Sequence, residues 1–472
     1  MSIEASVVPD CLKLAKIVPI YKSKEKNDFA NYRPVSLLPA ISKILEKVIY
    51  KRLYKFLESN KILNGNQFGF RTGHSTIHAV TKFINDITKS LDRKESSLAV
   101  YCDLSRAFDT IDHGIILGKL QFYGIRGQSL EWFRSYLDQR KQYVEYDGYM
   151  SKTTTINIGV PQGSVLGPLL FIIYMNDLPD NLTNASSILF ADDTTLYDHN
   201  SNIDILYANM IINLQRLTDW FRANKLSLNL SKTYYMLFTN SRLTNINLID
   251  IQIGDEVVKR TSHVKFLGII IDDQLKWDKH INAASKRITS AFYAINSAKH
   301  VLNRKHLKTL YYALVYPHII YGITLWGHTY QVHLNKIIIL QKKIVRVISN
   351  SEYNAHTEPL FKTLQIIRIA DIYKLQVVKF VFSFINHCLP ISLMDLFTTI
   401  GNPEFHYTRQ VKTYRLKLPK ARTTASTRSI ANMGPKIWNL VPAHMYFNKD
   451  QLRFVSRTCF MSRYKCDILA AY

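Results

Sequence analysis

The residues most able to do chemistry in this 472-residue chain are carboxylates, and the densest group lies in Ser186–Asp198, SSILFADDTTLYD. Ser187 to Ala191 and Thr194 to Tyr197 are rich in β-branched and aromatic residues, so the spacing predicts a hairpin closed by a two-residue Asp192-Asp193 turn. Adjacent carboxylates repel, and both stay ionised only where water or a cation compensates them. Apolar strands on either side argue against a purely solvated loop and point to a hard divalent cation. A solvent-facing Asp-Asp turn is the competing reading of the dipeptide alone. A third carboxylate sits in Ser96–His113, SSLAVYCDLSRAFDTIDH. Leu98 to Cys102 reads as a buried strand, which puts Asp103 at its C-terminal edge, where a charge without a partner is costly. Phe108 follows five residues later, and a helix begins around His113. A helix cap or structural ion pair would also account for an aspartate there.

The elements that must position these groups can be read along the chain. Residues 12–22 alternate as a strand ending in Lys22, and a polar turn leads to Arg33. Two cations thus flank one strand-turn-strand unit and could clamp a triphosphate, Arg33 as a fork and Lys22 as a point charge, or simply be solvated. Residues 41–57 place Ile41, Ile44, Leu45, Val48 and Ile49 on one helical face. The loop NQFGFRTGHST carries Arg71, facing nucleic acid or water, and Ser75 caps a second helix striped by Ile77, Val80, Ile84 and Ile87. Helices near 114–123 and 129–140 and strands near 142–147 and 153–159 precede GVPQGSVLGPLLFIIYM. There Gly159, Gly163 and Gly167 let backbone approach something flat or charged, and a helix is expected from Ser164 to Met175. Residues 203–224 are helical, Lys232 heads a strand in LSLNLSKTYYMLF, and VKFLGIII (264–271) forms another. Helices over 279–299, 304–320, 330–349 and 359–386 complete the pattern.

With 47% hydrophobic residues the chain can bury a large core, divided among two to four domains. Its 61 Lys/Arg against 36 Asp/Glu give +25 and favour a polyanionic partner. The excess is concentrated: residues 281–472 hold 27 basic and 7 acidic residues, and none is acidic between Asp278 and Glu352. So long an acid-free stretch interleaved with Tyr, Trp and Phe favours binding to a phosphate backbone. Cysteines 11, 102, 388, 459 and 466 have no zinc spacing and are expected as reduced thiols of an intracellular protein. No basic leader with an apolar core and no apolar run near 18 residues is present, which argues against secretion and membrane spanning.

Asp103 with Phe108, then VPQG, FADD, Lys232 and FLG occur in the order of a reverse transcriptase palm. The chain resembles the RNA-directed DNA polymerases of non-LTR, LINE-type retrotransposons. DLSRAFDTIDH, GVPQGSVLGPLLF, FADDTTLY and VKFLGIIID look most like the jockey-like group, and TRSIANMGPKIWNLVP is similar to the tails of such proteins. The resemblance implies an α+β right-hand polymerase fold: fingers and palm with an antiparallel sheet over 1–277, a helical basic thumb over 278–350, and a mostly helical, basic C-terminal region over 351–472. It implies that Asp103 and Asp192 ligate two Mg²⁺ ions, with Mn²⁺ as substitute, and that Asp193 completes the cluster. Lys22 and Arg33 would grip the triphosphate, and Arg71, Gln162 and Gly163 would contact template or nucleotide. Phe108 would select deoxynucleotides, Lys232 would give a proton to departing pyrophosphate, and Phe266, Leu267 and Gly268 would form the primer grip. The implied partners are an RNA template, a DNA primer and dNTPs, with no membrane, in a ribonucleoprotein of the nucleus or cytoplasm. Full-length relatives begin with an endonuclease domain, whereas this chain opens inside the expected fingers. An inactive remnant that only binds nucleic acid is therefore the alternative reading.

Overall fold

The computed structural model describes residues 2–23, 25–104, 107–240, 250–400 and 415–441. Strand β1 (Leu14–Tyr21) turns back into β2 (Tyr32–Leu37), and helices α1 (Ala40–Ser59) and α2 (Thr76–Asp92) lead to β3 (Ser96–Cys102). Next come α3 (His113–Phe122), α4 (Gln128–Leu137), β4 (Arg140–Tyr146), β5 (Tyr149–Met150), β6 (Thr154–Ile156) and α5 (Gly167–Tyr174). The hairpin of β7 (Ser186–Phe190) and β8 (Asp193–Asn200) is followed by α6 (Ile203–Ala223), β9 (Tyr234–Phe238), β10 (Ile251–Ile253) and β11 (Glu256–Arg260). A second hairpin, β12 (His263–Phe266) and β13 (Ile269–Asp272), precedes the helices. These are α7 (Asp278–Ala298), α8 (Arg304–Leu310), α9 (Tyr316–Ile320), α10 (Ile323–Trp326), α11 (Gln331–Ser349), α12 (Thr357–Leu364), α13 (Ile369–Ile385), α14 (Thr424–Arg428) and α15 (Ile430–Trp438).

Two compact units divide the chain: 1–75, 98–235 and 247–260 in the first, 76–97, 236–246 and 261–472 in the second. The first is built on two sheets, β2-β1-β4-β5 with β6 added on β4, and β10-β11-β9-β3-β8-β7. Both are mixed rather than wholly antiparallel, since β1 pairs with β4 and β9 with β11 in parallel. Every residue of β3 is buried, as its unbroken apolar run requires for a strand flanked on both sides. Helix α5 is apolar all round and accordingly buried from Leu169 to Tyr174. It begins at Gly167 instead of Ser164, with Pro168 in its first turn, and the Glu46 carboxylate accepts from the amides of Val165 (2.6 Å) and Leu166 (3.2 Å) just ahead of it.

That same carboxylate turns α1 away from its expected face. The buried residues are Ser42, Glu46, Ile49, Leu53 and Leu57, while Ile41, Ile44 and Val48 are exposed. A buried carboxylate must be hydrogen-bonded: Glu46 Oε1 accepts from Ser42 Oγ (3.2 Å) and Oε2 from the amides ahead of α5.

In the second unit, residues 264–271 form a hairpin rather than one strand. Leu267 and Gly268 both have positive φ (+46° and +84°), the backbone of a two-residue turn that suits strand twist. The expected helix over 304–320 contains a π-turn at Tyr311–Val315 just before Pro317, whose missing amide breaks the regular ladder. The expected helix over 359–386 is two, because α12 ends at Gln365 in the left-handed region. Helix α11 packs on α7, and α15 on α13. The last turn of α2 is closed from far along the chain: Asp92 Oδ1 accepts from Thr423 N (2.8 Å) and Oγ1 (2.7 Å). Arg422 also donates to the carbonyls of Asp92 and Leu91 (2.9 and 2.6 Å), satisfying acceptors that a helix end leaves open. Cys11 and Cys388 are exposed thiols and Cys102 a buried one; Cys459 and Cys466 lie outside the described residues. Among the described residues no helix is long and apolar enough to cross a membrane.

Candidate active site

Asp103 follows the last residue of β3, at the edge of the six-stranded sheet. Its Oδ2 accepts from Lys232 Nζ (3.1 Å) and Asn229 Nδ2 (3.3 Å), and its carbonyl accepts from Asn229 N (2.8 Å). Leu104 bridges to Leu228, so residues 228–232 run alongside this strand end and hold it. Lys232 does not head β9: it closes a single 3₁₀ turn, Leu230–Lys232, two residues earlier. Sequence reasoning misses Asn229. Its signal is a turn-forming Asn three residues before a lysine, braced by Ser231 Oγ at 2.7 Å.

The hairpin closes one residue earlier than expected. Phe190 pairs with Asp193, so the turn is Ala191-Asp192, and Ala191 takes the left-handed conformation (φ +57°). Asp192 therefore rides the turn and Asp193 opens β8, the neighbour of β3 in the sheet. Burial pushes the Asp192 carboxyl up and the charge of Asp103 adds to that, while Arg33 and Lys22 pull it down. Asp193 is exposed at the head of β8 but partly desolvated by the surrounding protein. That desolvation, with the charges of Asp192 and Asp103, pushes it up to about 6. Among the described residues no three His, Cys, Asp or Glu side chains converge closely enough to form a ready metal cage. The donor chemistry still fits a hard cation, since oxygen-only ligands under mutual repulsion are what Mg²⁺ or Mn²⁺ relieves.

Lys22 and Arg33 are exposed on the β1–β2 hairpin, and their fields reach Asp192, so the fold brings both expected cations to the carboxylates. Gln162 donates to Asp109 Oδ1 (2.9 Å), and its carbonyl accepts from Ser36 N (2.7 Å). Two glycines of this loop let the chain's own backbone come close. A Cβ at Gly163 (φ +121°) would lie 2.6 Å from the Ser36 carbonyl oxygen, and one at Gly159 2.7 Å from that of Asp109. Phe108 stacks on Phe171 (centroids 4.7 Å apart, 25° between planes) and meets Phe70 edge-on at 6.1 Å. Arg71 is not simply solvated. It forks onto Glu58 with two bonds of 3.1 Å and donates to the Asn64 carbonyl at 2.8 Å, with its side chain 9% exposed.

Phe266, Leu267 and Gly268 belong to the second unit. Phe266 is buried against Phe83 (5.8 Å), and the Leu267 carbonyl accepts from the Tyr321 hydroxyl. What this hairpin tip can present outward is backbone at Gly268.

A carboxylate at the end of a central strand, beside a carboxylate-tipped hairpin on the next strand, defines a polymerase palm. Residues 23–271 match the sequence model of the family described as reverse transcriptase (RNA-dependent DNA polymerase). The chain belongs to that family. It is 31% identical over 380 residues to the probable RNA-directed DNA polymerase from transposon BS of Drosophila melanogaster, covering 76% of this chain and 40% of that protein. It is 28% identical over 380 residues to the RNA-directed DNA polymerase from mobile element jockey of the same species (78% and 41% covered). The chain thus spans about two-fifths of the length of these relatives. Among solved structures, a telomerase from Candida albicans in complex with a fragment of telomeric RNA aligns at 11% identity and TM-score 0.41, over 76% of this chain and 66% of that one.

Proposed function

We propose that the chain extends a DNA primer 3′ end with deoxynucleoside triphosphates on an RNA template. The observation that carries this reading is the placement of Asp103 at the end of β3 and of Asp192 and Asp193 at the turn into β8, its neighbour in the sheet; Lys22 and Arg33 act electrostatically on Asp192. Divalent cations held there by the three aspartates would neutralise the triphosphate and acidify the primer hydroxyl. Lys22 and Arg33 bind the triphosphate, Arg33 through its planar fork. Gln162 and Gly163, pinned to Asp109 and Ser36, form a fixed wall for nucleotide and template, and Phe108, braced by Phe171 and Phe70, faces the sugar. The Lys232–Asp103 pair is 54% and 33% exposed, a class of contact worth about 0.2–1 kcal/mol. Lys232 can therefore leave Asp103 at small cost and give a proton to departing pyrophosphate.

In the same reading Gly268 grips the primer through its backbone, residues 278–350 act as a basic thumb on the duplex, and 351–472 form a further helical region. The protein would work inside the cell as a ribonucleoprotein. The test is primer extension by the purified chain on a generic RNA template with Mg²⁺, comparing dNTPs with NTPs. Extension that requires dNTPs is expected. A folded chain that binds primer-template and never extends it would return the reading to a binding remnant, and extension with NTPs alone would make it an RNA polymerase.

A further inference from the structure

The segment Asn66–Gly69 reads from the sequence only as loop. Phe68 N donates to the Leu189 carbonyl (2.8 Å) and Leu189 N to that of Asn66 (2.9 Å), so the segment is tied to β7 by one parallel bridge at Gln67. Gln67 is thereby carried under the carboxylate hairpin, 1% exposed. Its Oε1 accepts from Gly69 N (2.8 Å) and from Ala191 N (3.2 Å). Both partners are N–H groups, which fixes the oxygen of the amide on that side. Nε2 is buried and has no hydrogen-bond partner. An apolar side chain of the same length would avoid that unpaired amide, so packing alone does not account for glutamine here. The bonds it does make converge on the turn.

Ala191 needs such help. Its left-handed conformation is one that alanine, unlike glycine, adopts only at a cost. Gly69 closes the other side, since a Cβ there would lie 2.3 Å from Ala191 N. The Ala191 peptide is therefore gripped by Gln67 Oε1 and by the bare backbone of Gly69, and Asp192 is the next residue.

We propose that Gln67 is a positioning residue for nucleotidyl transfer: by holding Ala191 in the left-handed region it fixes the direction of the Asp192 carboxylate. The inference rests on the polymerase reading above. The test is Gln67→Met, which keeps the length and removes the acceptor. For single-nucleotide incorporation, kcat should fall about 10- to 100-fold, the scale of a misplaced reacting group. KM for dNTP and the Kd for primer-template should change less than threefold. Adding Ala191→Gly to Gln67→Met should recover kcat at least fivefold, because glycine takes the left-handed conformation unaided. A residue that only supports the fold would not show that rescue.

Wild-type kcat in folded Gln67→Met overturns the proposal, and so does a joint loss of kcat, substrate affinity and Tm that Ala191→Gly does not relieve. Should Gln67→Met not fold, residue-resolved hydrogen exchange of the wild type decides: the Ala191 amide must be protected although it lies in a turn, and fast exchange overturns the contact. If the wild type itself does not extend primers, the polymerase reading has failed, and Ala191 exchange still judges the Gln67 bond separately.

Discussion

Replacing Phe108 by valine should relax the choice between deoxy- and ribonucleotides at a modest loss of stability. A ribose 2′-hydroxyl held against an apolar ring loses its water partners, about 1–3 kcal/mol on mutational scales. At 1.36 kcal/mol per tenfold this gives the wild type roughly a 5- to 150-fold preference for dNTPs, more where the hydroxyl also overlaps the ring. The ring itself is held by Phe171 at 4.7 Å and Phe70 at 6.1 Å. Two such aromatic contacts are worth about 0.5–1.5 kcal/mol each, so the substitution should destabilise by about 1–3 kcal/mol and lower Tm by roughly 2–12 °C. The assay is single-nucleotide incorporation of dATP and ATP opposite the same template base, as kcat/KM, alongside thermal unfolding. A ratio of dATP to ATP efficiency falling toward one supports the gate. If both efficiencies fall in parallel with Tm and the ratio stays put, Phe108 only anchors its turn to α5.

Asp103→Asn and Asp192→Asn should each abolish extension while primer-template binding measured by fluorescence anisotropy survives, and chelation of divalent metal should do the same to the wild type; wild-type rates in either folded variant would refute the metal assignment. Asn229→Ala removes the 3.3 Å bond to Asp103 but leaves the backbone bond, so kcat should fall about tenfold with little change in Tm, and an unchanged kcat would show that Lys232 alone suffices to hold the carboxylate. Changing the exposed Lys286, Arg287, Arg304 and Lys305 to glutamine should flatten the slope of log K against log salt by about 0.7–0.9 for each phosphate that is no longer neutralised. An unaltered slope would put the duplex elsewhere.

What the sequence revealed and what it hid divide along the reach of the interactions involved. The buried strand under Asp103 follows from a local apolar run, and it and the helix expected over 203–224 are found at their expected places. The cations on the β1–β2 hairpin are legible for the same reason. The α1 face is misread because one carboxylate, Glu46, serves amides 119 and 120 residues away, and no periodicity encodes that. Arg71 is neutralised by Glu58, thirteen residues earlier, across a helix end. That the β2 backbone and the Asp109 turn come within 2.6–2.7 Å of a Cβ at glycines 163 and 159 is likewise a long-range fact no local pattern carries. The turn shifts by one residue because strand register, set by pairing along the whole hairpin, overrides the polarity of Asp192-Asp193 as turn residues.

The clasp of Arg422 and Thr423 on Asp92 joins residues 330 and 331 positions apart, and that separation sets a clock for biosynthesis. At roughly 5–20 residues per second on the ribosome, about 17 to 66 s pass between the emergence of α2 and that of its clasp. During that interval the Leu91 and Asp92 carbonyls and the Asp92 carboxylate at the end of α2 wait without these partners. Contacts of such long range are also the slow ones in folding. A translation product that stops short of residue 422 should therefore keep a frayed last turn of α2, a ready target for proteases.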